Sequence, residues 1–310
     1  MSYVIGSFNI RDFNLANKSR DGESIRRDFE LIAQIIRQEK FDVVAIQEVN
    51  AEIAIKHLTD ILNRGKNLLQ EWEYDFSGKA ATAIADPEGY GFIWNKKRLR
   101  LLEKRNKKNP DYYTYAGGGG LLRRPYYACF TSRGLVGGSN FELRIVNVHI
   151  RDATREFERL LEFNTLVQQV LPRICDHPEV SAENEIMPAY TFLMGDYNLE
   201  LNKSERSVVK IETITETSYT GKKRYYKTAQ TELTSLRIPR EQTTISECYS
   251  HNYDHFTYET DLDFKLKLVP QRIEALSTYF PDQSSAVEKL SDFRLKVSDH
   301  VPIKLTVDLK

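Results

Sequence analysis

The chain has 310 residues, 41% of them hydrophobic and 28% charged, and its 44 Lys and Arg balance 44 Asp and Glu. That is apolar material enough for one large core or two small ones, while zero net charge supplies no general electrostatic grip on a polyanion, makes any basic surface local and leaves a nuclease open. Three scattered cysteines, Cys129, Cys175 and Cys248, speak against a disulfide framework and against a Cys-based zinc site.

In chain order, Tyr3 to Phe8 reads as a strand. Ser24 is positioned to cap a helix with apolar residues Ile25, Phe29, Ile32, Ala33 and Ile36 at helical spacing. Val43 to Ile46 is a continuous apolar run, the mark of a strand buried between two layers. A second helix follows through Ile53, Ile55, Leu58, Ile61 and Leu62. Strands come next at Tyr90–Trp94, Tyr126–Thr131 and Leu143–Ile150, then a long helix from Arg155 to Cys175 and a strand at Thr191–Met194. Further strands are expected near Tyr253–Tyr258 and Val301–Val307. Two segments read as loops: 106–120, with four glycines at Gly117–Gly120, and the polar stretch 202–242. Neither reads as a linker, so a single layered α/β domain over 1–310 is expected. The opening residues Met1 to Gly6 carry no basic and apolar leader, and no apolar run suits a bilayer. A cytoplasmic protein without membrane attachment is the expectation.

Polar constellations recur at the ends of apolar strands, where layered α/β proteins place their ligands. They are Phe8-Asn9-Ile10-Arg11, Ile46-Gln47-Glu48-Val49, Asn147-Val148-His149-Ile150, Met194-Gly195-Asp196-Tyr197-Asn198, Tyr253-Asp254-His255 and Ser298-Asp299-His300-Val301-Pro302. Each is weak alone. In this order the set resembles the DNase I-like endonuclease/exonuclease/phosphatase superfamily, over Ile5 to Val307. Pro87-Glu88-Gly89-Tyr90 and Arg123-Arg124-Pro125 make the DNase I branch the nearest likeness. The resemblance implies a four-layer α-β-β-α sandwich, two mixed sheets packed together and flanked by helices.

It also implies a divalent-metal-dependent phosphodiesterase. Hard carboxylate and amide oxygens suit Mg²⁺ or Mn²⁺, with Ca²⁺ a further option. By resemblance Glu48 is the main metal ligand, supported by Asn9 and Asp299; His149 and His300 face the scissile phosphate. Glu88 is implied to orient His149, and Asp254 to orient His300. Asp196 and Asn198 are implied to position water and a phosphate oxygen, and Arg11 and Arg123 to contact a nucleic-acid backbone. Which group is the base stays open within this cluster.

Each residue also has a plainer reading. Glu48 could cap the following helix; His149 could be a hydrogen-bonded core histidine; Asp196 and Asn198 could make an Asx turn; Asp299-His300 could be a turn before the last strand. Asp86 competes with Glu88 as partner of His149, whereas Asn14 reads as loop and His255 as structural. The runs Lys96–Arg98 and Lys104–Lys108 read as solvated faces. Lys222–Lys227, which interleaves tyrosines with bases, suits either base stacking or an edge hairpin.

The substrate favoured by the resemblance is DNA, cut endonucleolytically by a monomer. RNA, phospholipid and inositol phosphate are the alternatives on the same fold, and an inactive binding module the remote one. Asn252 stands where the DNase I branch has a cysteine, and Gly117–Gly120 where it has a cysteine-bearing loop. Both departures point away from a secreted scavenger and towards an intracellular enzyme.

Overall fold

The computed structural model describes residues 1–16, 25–64, 70–79, 88–102, 121–133, 141–152, 155–176, 188–201, 210–219, 221–229, 231–238, 244–266 and 268–309. Fifteen strands are described: β1 (Ser2–Phe13), β2 (Val43–Val49), β3 (Trp72–Lys79), β4 (Gly89–Asn95), β5 (Leu99–Leu101), β6 (Tyr126–Ser132), β7 (Glu142–His149), β8 (Ala189–Asp196), β9 (Glu200–Leu201), β10 (Lys210–Ile211), β11 (Ile214–Tyr219), β12 (Lys222–Ala229), β13 (Asp254–Glu259), β14 (Val269–Arg272) and β15 (Ile303–Asp308). Six of them form one mixed sheet in the order β14-β15-β1-β2-β4-β3, and seven form a second in the order β11-β12-β13-β8-β7-β6-β5.

Helices α1 (Phe29–Gln38), α2 (Glu52–Leu62), α6 (Ala275–Tyr279) and α7 (Ala286–Lys296) cover the outer face of the six-stranded sheet. Between them fall α3 (Glu156–Thr165) and α4 (Leu171–Asp176), which cover the outer face of the seven-stranded sheet, and α5 (Thr260–Leu266), which contributes Leu262 and Leu266 to the inter-sheet core. Three apolar cores separate four layers. The middle one, with Ile5, Val43, Phe92, Ile145, Phe192 and Phe256, lies between the sheets. This is the α-β-β-α sandwich that the motif order implied.

The alternation of side chains along each strand explains the layering. On β1, Phe8 and Ile10 face the helices while Tyr3 and Ile5 face the other sheet. On β7, Val146 and Val148 face the helices while Leu143 and Ile145 face inward. A strand buried on both faces needs apolar residues at both parities, hence the continuous runs in the sequence.

Several expectations are corrected. The first helix begins at Phe29, not at Ile25: Asp28 is its cap, accepting from the Leu31 N–H at 3.0 Å, and Ser24 lies outside the described residues. The long helix 155–175 is interrupted by a π-helical turn at Leu166–Val170 between α3 and α4. Pro172 follows, and having no N–H it cannot bond to the carbonyl of Gln168; the Thr217 hydroxyl on β11 donates to that oxygen instead, at 3.4 Å. Within 202–242, read as a loop, β11 and β12 pair as an antiparallel hairpin at the sheet edge, the hairpin alternative for Lys222–Lys227. There Arg224 and Tyr226 are buried while Lys223 and Tyr225 point outward, so the basic-tyrosine cluster alternates as a strand does. Gly117–Gly120, Lys104–Lys108 and Asp86 lie outside the described residues. No helix among the described residues is long and apolar enough to cross a membrane.

Candidate active site

The inward-facing positions of the central strands change from apolar to polar toward one end of the sandwich. Ile5 gives way to Ser7 and Asn9, Val43 and Ala45 to Gln47, and Leu143 and Ile145 to Asn147 and His149. Phe192 and Met194 give way to Asp196, and on antiparallel β13 Tyr258 and Phe256 give way to Asp254. The period of two therefore delivers all these polar groups into one inter-sheet layer. A buried bridge closes its floor: Gln47 Nε2 donates to Asn147 Oδ1 at 2.7 Å, and Asn147 Nδ2 donates to the carbonyls of Ile46 and Gly91 at 3.0 and 3.2 Å.

Glu48 would face the helices if β2 stayed regular, since it is one residue beyond the inward Gln47. Its φ of 58° breaks the alternation, and the registers of β1 with β2 and of β2 with β4 both shift there. The bulge turns the carboxylate inward to accept from Asn9 Nδ2 at 3.1 Å and from the Asp12 N–H at 3.1 Å. Asp12 and Asn198 also hold positive φ, at 50° and 48°. Such conformations cost about 1–3 kcal/mol each and gather at functional sites. The helix-capping alternative for Glu48 thus gives way to an inward carboxylate.

Two histidines converge on one carboxylate. His149 Nε2 lies 3.7 Å and His300 Nε2 3.6 Å from Asp196 Oδ2. Behind them, His149 Nδ1 meets Glu88 Oε1 in a short contact, and His300 Nδ1 lies 2.8 Å from Asp254 Oδ2. Each ring is thereby fixed with Nε2 facing the centre. Burial works against a charged His300, but Asp254 and Asp196 outweigh it and push its pKa up to about 10. Burial likewise opposes charge on His149, and Glu88 overcomes it, so that pKa also rises. Burial, reinforced by Asp254 and opposed by both histidines, raises the Asp196 carboxyl above the usual carboxylate range. Asp196 Oδ1 accepts from the Asn198 N–H at 2.8 Å, and Asn198 Nδ2 donates to the Ile150 carbonyl at 2.8 Å.

Two groups of ligand atoms, Glu48 with Glu88 and His149, and Asp196 with Asp254 and His300, each lie within 4.8 Å of one another. Asn9 Oδ1 and Asp254 Oδ1 are buried oxygens with no hydrogen-bond partner among the described residues. Unsatisfied hard acceptors beside carboxylates fit a divalent cation such as Mg²⁺. Asp299, implied as a further ligand, is in neither group. Its Oδ2 lies 3.6 Å from Arg11 Nη1 and 3.9 Å from Arg294 Nη2.

The two arginines implied as backbone contacts are both held by acids. Arg123 Nε lies 2.9 Å from Glu88 Oε1, and its Nη1 donates to the His149 carbonyl at 3.4 Å. Lys96 pairs with Glu71 and Glu73, and Arg98 with Asp42, so that run is spent on local ion pairs. His255 is buried with Nε2 on the Leu199 carbonyl at 2.8 Å, a structural histidine whose pKa burial lowers. Sequence reasoning missed the supporting groups. Ser298 Oγ donates to the Asn9 carbonyl at 2.7 Å and accepts from the His300 N–H at 3.2 Å, tying the last motif to the first. Buried Arg27 donates through Nε to the Arg11 carbonyl at 3.0 Å, and the Tyr90 hydroxyl accepts from the His149 N–H at 3.1 Å. The positions of Ser298 and Tyr90 inside quoted motifs were the one sequence hint of such roles.

No protein-family profile and no curated protein matches the sequence. Solved structures match along the whole chain. An endonuclease/exonuclease/phosphatase family protein from Bacteroides thetaiotaomicron aligns with a TM-score of 0.57 at 15% identity, over 100% of this chain and 99% of that one. A mannosyl-6-phosphatase from the same species gives 0.57 at 15% identity, over 99% and 100%. Humanized D. rerio TDP2 gives 0.53 at 14% identity, over 99% of each chain. The fold is therefore that of the endonuclease/exonuclease/phosphatase superfamily, and these likenesses do not select a branch within it.

Proposed function

We propose that this chain is a divalent-metal-dependent phosphoesterase that hydrolyses phosphodiester bonds, with DNA as its first substrate and all of 1–310 as one catalytic domain acting as a monomer. The observation that carries the reaction class is the convergence of His149 and His300 on Asp196, each backed by its own carboxylate. A metal held by Glu48 with Asn9 would polarise the phosphate and stabilise charge developing on its oxygens. The remaining chemistry belongs to side chains. The two imidazoliums donate hydrogen bonds to non-bridging oxygens from either side. Asp196, with its raised pKa, takes a proton from the attacking water as the new P–O bond forms. One histidine returns a proton to the departing ester oxygen as the old P–O bond breaks. Asn198 holds Asp196 in place through its backbone N–H.

DNA is supported by the DNase I-like motif order and by structural likeness to a TDP2 solved with a single-strand DNA product. A second reading, a small phosphorylated molecule, is favoured by structural likeness to a mannosyl-6-phosphatase. Incubating the purified protein with supercoiled plasmid and Mg²⁺ or Mn²⁺ tests the first. Nicking that EDTA and Glu48→Ala both abolish is the expected result. Intact plasmid together with metal-dependent cleavage of bis(p-nitrophenyl) phosphate would reject DNA and keep the reaction; no cleavage of either would reject both.

A further inference from the structure

His149 is held through its backbone as well as through its ring. The His149 N–H donates to the Tyr90 hydroxyl at 3.1 Å, and Arg123 Nη1 donates to the His149 carbonyl at 3.4 Å. Next along the chain, the Ile150 N–H donates to the Asp196 carbonyl at 2.9 Å, and Asn198 Nδ2 donates to the Ile150 carbonyl at 2.8 Å. The fifth polar group of this run, the Arg151 N–H, donates to the carboxylate of Glu162. Four of the five partners lie in the centre or beside His149. Glu162 alone reaches the run from helix α3.

The same carboxylate holds a second segment, accepting from the N–H groups of Leu122 and Arg123. Arg123 Nε lies 2.9 Å from Glu88 Oε1, and Glu88 is the acid on His149 Nδ1. Glu162 thus joins the segment that carries Arg123 to the segment that follows His149. It is 5% exposed. Two ionisable side chains interact with it: the Arg123 guanidinium, which favours its charge, and the Tyr90 phenol, kept neutral by its own burial. Three N–H donors need both carboxylate oxygens, and only the ionised form offers both as acceptors. Burial nevertheless raises the Glu162 pKa to about 7, so ionising it near neutral pH opposes folding. A local arrangement that works against stability is typical of a functional site.

The geometry points to Glu162 as a positioning residue for the hydrolysis: its carboxylate clamps the Arg123 and Arg151 segments together and so fixes Arg123, Glu88 and His149 relative to Asp196. The inference rests on the phosphoesterase reading above and deepens it by adding a group that acts without touching the phosphate. Protonating Glu162 turns one acceptor oxygen into a donor and releases one of the three N–H groups. The clamp therefore closes as pH rises through about 7.

The test is Glu162→Gln, which keeps the side-chain shape but has one acceptor oxygen in place of two. On bis(p-nitrophenyl) phosphate with Mg²⁺ or Mn²⁺, its kcat should fall about tenfold or more below wild type near pH 8, the scale for losing an outer hydrogen bond at a site, with KM within about twofold. At about pH 5.5 wild-type Glu162 is itself protonated, so the ratio of the two kcat values should approach one. Titration of Asp196 cancels in that ratio. The variant should also be no less stable to urea than wild type near pH 8, which separates a loosened clamp from a damaged fold. A ratio that is near one throughout or independent of pH, or a less stable variant, overturns the clamp and leaves the phosphoesterase reading standing. Should wild type cleave nothing, the reaction falls and NMR judges the clamp. The amide signals of Leu122, Arg123 and Arg151 and the ring signals of His149 should then share a step centred near pH 7 that the variant loses. Without that shared step the clamp falls too.

Discussion

At the scale of single residues, the centre assigns opposite tasks to groups that look alike in sequence. Of four buried acids near the histidines, Glu88 and Asp254 hold ring nitrogens, Asp196 sits between the rings, and Glu48 gathers Asn9 and the Asp12 N–H. Replacing His149 or His300 by Ala is expected to lower kcat by at least ~10²-fold, the usual scale for a proton-transferring group. Asp254→Asn retains the shape of its side chain but withdraws the charge facing His300. Its kcat should fall while KM changes little, and the pH above which activity declines should move down from the region near 10, because the imidazolium loses its main electrostatic support. A pH–rate profile for Asp254→Asn that overlays wild type would remove Asp254 from this role.

Among elements, β8 shows how tightly the site is set. Gly195, between Met194 and Asp196, has a φ of 149°, and a Cβ there would lie 1.8 Å from the Val148 carbonyl oxygen. Gly195→Ala must push β8 from β7, and with it Asp196 from His149; an unfolding free energy lower by about 3 kcal/mol or more is expected in urea titrations. Much of this architecture was legible in sequence, for a physical reason. Central strands buried on both faces write themselves as apolar runs, so β1, β2, β4, β6, β7, β8, β13 and β15 all fall where those runs predict them. The polar interruptions that end the runs are the site itself. Strands β11 and β12 at one sheet margin lie in the polar stretch 202–242, where only the Lys222–Lys227 cluster hinted at a hairpin, and the exposed edge strand β14 gave no strand signal. The π-helical turn before Pro172 has no periodic signature, and the bulge at Glu48 depends on pairing with two strands that local sequence does not reveal.

For the molecule as a whole, the layers are joined by more than apolar contact. Buried Glu162 on α3 is surrounded by the backbone N–H groups of Arg151, Leu122 and Arg123, and burial nevertheless pushes its pKa from 4.5 to about 7. Below pH 4.5 this carboxyl is protonated whether the chain is folded or not. Between there and about 7 only the unfolded chain releases the proton, so stability falls as pH rises through that window. Glu162→Gln should flatten this decline and gain on the order of 3 kcal/mol over wild type at pH 8, measured as unfolding free energy against pH. An unchanged slope would show that the carboxyl is not the group responsible.

The register of β1 with β15 has one more consequence. Asn9 lies on β1 and His300 just ahead of β15, and the two strands pair antiparallel from Ser2↔Asp308 to Ser7↔Ile303. A chain emerging from the ribosome makes β1 well before β15, and β1 must wait through nearly three hundred residues for that neighbour. Until β15 arrives, one edge of β1 is open and His300 is absent from the centre. Under the proposed mechanism the unfinished polypeptide therefore carries Glu48, His149 and Asp196 as an incomplete centre, completed only when the two distant strands meet.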